Sequence, residues 1–212
     1  MINENELKFR ILNSADELFL KYGFKKVTMD EIAQDLGISK KTIYKYFSSK
    51  KDLVLSILEL KKQEVNNYLT NLIKDTELDF ISKLKRLMNF IGTVTVRLTS
   101  PVASDIQKNF PEVWNDLMKH RKQNTLRVFT SLINEGIKEN VFRDDIDKEL
   151  VVLIYVNTMQ QMLNPDTLVK IPFTAPQVFD AAITIMFEGI MTEEGRNKFC
   201  TLNKKRKNEE DI

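Results

Sequence analysis

The chain carries one histidine, His120, and one cysteine, Cys200, in 212 residues. Zinc ligation and the Ser/His or Cys/His pairs of nucleophilic catalysis therefore have almost nothing to draw on. A lone cysteine excludes an internal disulfide and fits a reducing compartment. No apolar run approaches the ~20 residues of a membrane span, and no N-terminal stretch has the form of a signal peptide. Glycine and proline are scarce, at six and five, and no glycine-rich phosphate loop, repeat or alternating strand pattern occurs. The formal charge is only +2. An enzyme, a metal or cofactor protein, a secreted scaffold and a membrane protein are all disfavoured. The expectation is a soluble, cytoplasmic, all-α chain in which His120 is a surface or pocket-rim residue.

What is present concentrates between Thr28 and Asp52. Thr28 and Glu31 have the spacing of a capping box, so a helix should start at Met29. Met29, Ile32, Ala33 and Leu36 then share one face. Gly37 ends that helix, and Ser39 caps the next. Ile38 and Ile43 occupy the two positions of a hydrophobic staple. Ser49 and Asp52 have the spacing of a further capping box. Within that third segment Ile43 and Phe47 should face inward, leaving Lys41, Tyr44 and Lys45 outward. Five lysines and no carboxylate lie between Asp35 and Asp52. Two short helices about a tight turn, the second bearing lysine, hydroxyl and aromatic groups, suit a DNA major groove. A solvated lysine-rich helix is the plainer reading. Residues 1–52 hold ten bases and eight acids, so the whole formal excess sits at this end. Because the excess is small, binding would depend on local arrangement and on two copies.

The same stretch resembles the tetracycline-repressor (TetR) family of bacterial transcription regulators. The resemblance is carried by Arg10-Ile11-Leu12, Ala15, Leu18-Phe19, Tyr22-Gly23-Phe24 and Thr28 through Ile32-Ala33. It continues over Leu36 to Phe47, Ser49-Lys50 and Leu53, about the first quarter of the chain. Lys51 stands where the family often has an acid. Ser39, Thr42, Tyr44 and Tyr46 are candidate phosphate contacts, with Thr28 and Lys50 at helix starts that favour anions. Lys40, Lys41, Thr42 and Lys45 are candidate base readers. The resemblance implies the same set.

The remaining periodicity predicts helices throughout, about nine in all. The first runs from about Glu4 to Tyr22, with Leu7, Ile11, Ala15, Leu18, Phe19 and Tyr22 as its buried stripe. A long one starts after Ser49 and runs to about Lys74. Another spans about Asp79 to Thr99, including Leu98, and Pro101 ends it. A short helix over Val102 to Asn109 precedes one that opens on Pro111 and reaches about Asn140. Helices from about Lys148 to Leu163 and after Pro176 follow, with Asn164 to Ala175 read as loop. The expected division is a helix-turn-helix DNA-binding domain at 1–50, an effector-binding and dimerisation domain at 51–197, and a charged tail at 198–212. In that tail the run Lys204 to Lys207 is either a solvated end or an auxiliary DNA contact.

The last two long helices are apolar nearly all round, so each needs a second surface. We read them as a homodimer interface using Leu153, Val156, Phe179, Ala182, Ile183, Met186 and Phe187, in a four-helix arrangement. A central position within one subunit would produce the same pattern. In the TetR family a C-terminal pocket binds a small molecule. Met88, Ile91, Trp114, Met118, Phe129, Met159 and Met162 are the candidate lining here, though a plain core has the same appearance. Asp105, Glu112 and Asp116 are the only acids between Lys83 and Ser131 that could balance a cationic ligand, which favours a neutral or anionic apolar effector. The partners implied are double-stranded DNA, a second copy of the chain and an unidentified small molecule. The rival is a sequence-tolerant DNA-binding or structural protein without effector control.

Overall fold

Local capping chemistry sets most of the helix starts. The computed structural model describes residues 3–97 and 101–199. Asn3 caps α1 (Glu4–Tyr22), and Gly23 ends it at φ 85°. Thr28 caps α2 (Met29–Asp35) with both halves of its box formed. Ser39 caps α3 (Lys40–Tyr46). At α4 (Lys50–Lys74) only half of the expected box forms. Ser49 Oγ accepts from Asp52 N at 3.1 Å, but the Asp52 carboxylate turns to Ser48 N at 2.9 Å.

The chain continues as α5 (Phe80–Val96), α6 (Pro101–Asn109), α7 (Pro111–Lys138), α8 (Lys148–Met162), α9 (Pro165–Leu168) and α10 (Ala175–Ile190). Residues 193–199 are also helical. Pro101 opens α6 as its first residue, where the missing N–H costs nothing. Asp79 stands just before α5, accepting from Ser82 N at 3.0 Å. The short helix α9 lies in the stretch expected to be loop, and residues 193–199, where no helix was expected, run across the expected domain boundary at 197 into the expected tail. Thr174 and Gln177 form a capping box before α10, inside the stretch expected to be loop. Leu98, Thr99, Cys200 and the Lys204–Lys207 run lie outside the described residues. Among those described, the only strand-like feature is an isolated antiparallel bridge between Phe142 and Met191. No described helix is long and apolar enough to cross a membrane.

Packing divides the chain into two units. One holds Met1–Asn67 with Arg97–Lys119; the other holds Tyr68–Val96 with His120–Ile212. The division expected at residue 50 concerned which part meets DNA; the packing unit around that part is larger. It takes in the first two-thirds of α4, all of α6 and the start of α7.

The first unit has one core, in which Ile11, Ala15, Phe19, Ile32, Ile43, Phe47 and Leu53 are sealed from water. Tyr22, expected in the α1 stripe, is instead 47 % exposed. Ser14 Oγ donates to Asp35 at 2.9 Å, tying α1 to the end of α2. Phe24 meets Phe110 edge-on at 5.4 Å, joining the α1–α2 loop to the end of α6.

The second unit is built around α10, which packs on α5 and α8. Phe129, Phe142, Phe179 and Phe187 fill its centre. Gly136 lies so close beneath Phe142 that a Cβ there would stand 2.2 Å from the ring. Lys83 is the buried charge of this core, at 5 % exposure. Its ammonium meets Glu135 at 2.6 Å, the compensation that a buried ion requires.

Candidate nucleic-acid interface

The α2–turn–α3 segment presents a polarised surface because its apolar residues recur on one side only. Ile43 and Phe47 are 0 % and 1 % exposed. Met29, Ile32 and Ala33 of α2 are buried in the same core. The turn between the helices depends on Gly37, which takes φ 65°, a left-handed conformation that disfavours any residue with a Cβ. Ile38 N donates to Ala33 O at 2.9 Å and closes the turn. Ile38 then packs, half-buried, on the core that contains Ile43, as the staple requires.

The opposite side of α3 holds the expected DNA contacts. Lys41 is exposed, and Tyr44 is 43 % exposed. Ser39 Oγ accepts from Thr42 N at 3.0 Å, and the two hydroxyls lie 2.8 Å apart. Both therefore brace the start of α3 while remaining at its surface. Thr28 is exposed at the start of α2, its N–H donating to Glu31 Oε2 at 2.7 Å. That hydrogen bond holds the Glu31 carboxyl below its ordinary value. Tyr46 is half-buried, with the Lys45 ammonium 5.6 Å from its ring centroid.

Three of the lysines are engaged in ways that the local sequence did not reveal. Lys40 meets Asp30 of α2 at 2.8 Å. Lys45 meets Glu4, at the start of α1, at 2.6 Å. Each ion pair raises the lysine above its ordinary value, and Lys45 lowers Glu4. The stretch lacks acids in sequence, but the fold brings two of them to it. Lys50 folds over the Phe24 ring, 4.3 Å from its centroid, and is half-buried. Burial lowers its pKa, and the charges of Asp105 and Glu31 partly offset this. Lys50 thus stands as a cation–π brace as well as a charge near the helix start.

The other candidate sets are distributed differently. Trp114 and Met118 pack with the core of the first unit. Met88, Phe129 and Met159 are buried in the second, where Ile91 is half-buried and Met162 is 37 % exposed. Asp105 and Asp116 belong to the first unit, where they accept from Lys25 N at 3.2 Å and pair with Lys62. Glu112 lies there too, 3.9 Å from Lys51. His120 is half-buried, its ring 3.5 Å from the Asn124 amide. Among the dimer candidates, Val156, Phe179, Ile183 and Phe187 are sealed inside their own subunit, and Ala182 and Met186 are half-buried. Only Leu153 of that set faces out, at 52 % exposure. The large outward apolar residues of α8 and α10 are Leu150, Leu153, Ile154, Met162 and Ile185. A helix that is apolar all round does not encode which side meets its own core.

Residues 11–57 match the bacterial regulatory proteins, tetR family. Over 185 residues the chain is 27 % identical to the HTH-type transcriptional regulator YvaF of Bacillus subtilis, covering 87 % of this chain and 96 % of that one. It is 22 % identical to the HTH-type transcriptional repressor KstR2 of Mycobacterium tuberculosis over 205 residues, 90 % of this chain and 96 % of that one. Its fold is similar to that of a transcriptional regulator from Cytophaga hutchinsonii, with a TM-score of 0.69 at 19 % identity. That likeness covers 89 % of this chain and all of the other.

Proposed function

For a chain that belongs to the TetR family of bacterial regulatory proteins, we propose a cytoplasmic repressor that binds a palindromic operator as a homodimer and leaves it when a small apolar effector binds. Its relatives are transcriptional regulators rather than enzymes. The observation that carries the reading is the polarity of α3. Ile43 and Phe47 anchor it in a rigid core, while Lys41 and Tyr44 stand free on its other side. Such a helix enters a major groove with lysines on phosphates and guanine edges. In this reading Thr28, Ser39, Thr42, Tyr44 and Tyr46 contact phosphates, Lys40, Lys41 and Lys45 approach bases, and Lys50 supports the helix start.

Exposed ion pairs such as Lys40–Asp30 and Lys45–Glu4 are weak and salt-sensitive, so DNA phosphates can displace the acids. Two copies join through the outward apolar residues of α8 and α10, which places two α3 helices on one duplex. Effector control needs a coupling of only ~1–3 kcal/mol, and α4 and α7 each supply residues to both packing units.

Selection of sites from random duplex DNA tests the reading. A regulator enriches one palindrome, preferred by about a thousandfold or more over unrelated DNA, and Tyr44→Ala weakens binding to it. Uniform, salt-sensitive binding without an enriched site would favour a sequence-tolerant DNA-binding protein instead.

A further inference from the structure

Between α1 and α2 the first unit carries an open groove of about 500 Å³. Its floor is apolar, formed by Leu18, Tyr22 and Val27, and its rim is charged, with Lys26, Glu31 and Asp35. Val27 is buried and Leu18 half-buried, whereas Tyr22 is 47 % exposed.

The two kinds of charge lie at opposite ends. Ser14 Oγ donates to Asp35 at 2.9 Å, which fixes the carboxylate at the end of α2 against the middle of α1. Tyr22 stands about 12 Å farther along α1 than Ser14, at ~1.5 Å per residue. From there the chain turns through Lys26 and Val27 to Thr28, the cap of α2. Lys21 adds to this basic end, its ammonium 5.0 Å from the Tyr22 ring centroid. Glu31 lies nearer the basic end, but its Oε2 is taken by the Thr28 N–H and hydroxyl at 2.7 and 2.9 Å. Neither end is neutralised within the chain. Among the described residues Lys26 enters no ion pair, and Asp35 accepts only from the Ser14 hydroxyl. By contrast, Lys40, Lys45 and Lys62 of the same unit each meet a carboxylate.

We propose that this groove binds the same groove of a second copy of the chain. A two-fold rotation about its midpoint exchanges its ends, so Lys26 of each copy lands on Asp35 of the other while the apolar floors face each other. Any other occupant would need opposite charges at the same separation, which a second copy has by construction. The groove belongs to the first unit and the outward face of α8 and α10 to the second, so the contact links one homodimer to the next. Exposed ion pairs are individually weak. The contact therefore acts where one duplex holds two dimers as neighbours at high effective concentration. The inference rests on the reading that the chain binds DNA as a homodimer, and it adds cooperation between adjacent dimers.

The test uses full-length protein and duplexes carrying the selected palindrome once or twice, the two copies separated by spacers lengthened one base pair at a time over a helical turn. At some spacing the second dimer binds about tenfold tighter than the first. Lys26→Asp alone and Asp35→Lys alone each reduce that ratio to about one, and the two substitutions together in one chain restore it, because the ends have exchanged charge. The ratio cancels any change in affinity for a single site. Independent binding at every spacing would overturn the proposal, as it would if the groove served a different partner. So would single variants that keep the cooperation, or a double variant that fails to regain it. If selection yields no palindrome, the operator reading fails by itself. The contact is then read from clustering on a long duplex of unrelated sequence, where the same substitutions must abolish and restore it.

Discussion

Ile43 and Tyr44 are adjacent in sequence and opposite in environment, one sealed from water and the other 43 % exposed. In the proposed function that alternation lets α3 meet DNA on one side only, and it gives its side chains separable roles. Lys41 is exposed and approaches bases in the proposed reading, so Lys41→Ala should cost about 1–3 kcal/mol on the operator and relax specificity at the position it reads, as fluorescence anisotropy on a panel of operator variants would show. Glu4→Gln should do the reverse, tightening DNA binding a few-fold by freeing Lys45 and removing a negative charge beside it. Thr28→Ala removes a capping box and should lower stability by about 1 kcal/mol in urea unfolding. Part of that loss depends on pH. The Glu31 carboxyl is held below its ordinary pKa by its hydrogen bonds to Thr28. The carboxylate's contribution is therefore present above that value and disappears as pH falls through the lowered pKa. The penalty of Thr28→Ala should shrink accordingly in acid. The caps were legible because their partners lie three residues apart. The Lys45–Glu4 pair spans 41 residues, and no local pattern announces it.

At the scale of elements, the long helices were readable and their phases were not. Periodicity and caps located α1 to α8 to within a few residues. The same signals failed for α9 and for 193–199, which are too short to establish a period. For α8 and α10, apolar residues on every side left the core-facing stripe undetermined. The structure separates the two roles, and substitutions should follow it. Ile185→Lys, at a position 74 % exposed, should leave subunit stability within about 0.5 kcal/mol. It should nevertheless shift the protein toward monomer in sedimentation analysis. Leu153→Lys should behave alike. Phe187→Ala, at 0 % exposure, should cost about 3–5 kcal/mol of subunit stability instead. Equal effects from the two kinds of substitution would mean that α8 and α10 have no outward interface.

At the scale of the whole molecule, the proposed function joins two features, a helix that meets DNA and a face through which two copies associate. The first was legible from sequence as a dense run of local signals. The second was legible as a need for burial, without its residues. The central claim is that two copies of α3 are held at the spacing of successive major grooves, about 34–36 Å. Its most direct measurement is the affinity of the full-length protein for its selected palindrome, compared with the same half-sites separated by five more base pairs. Half a helical turn moves one half-site to the far side of the duplex. The account predicts that binding falls to the non-specific level, and that five further base pairs restore it in part or not at all. Equal affinity for all three spacings would contradict it.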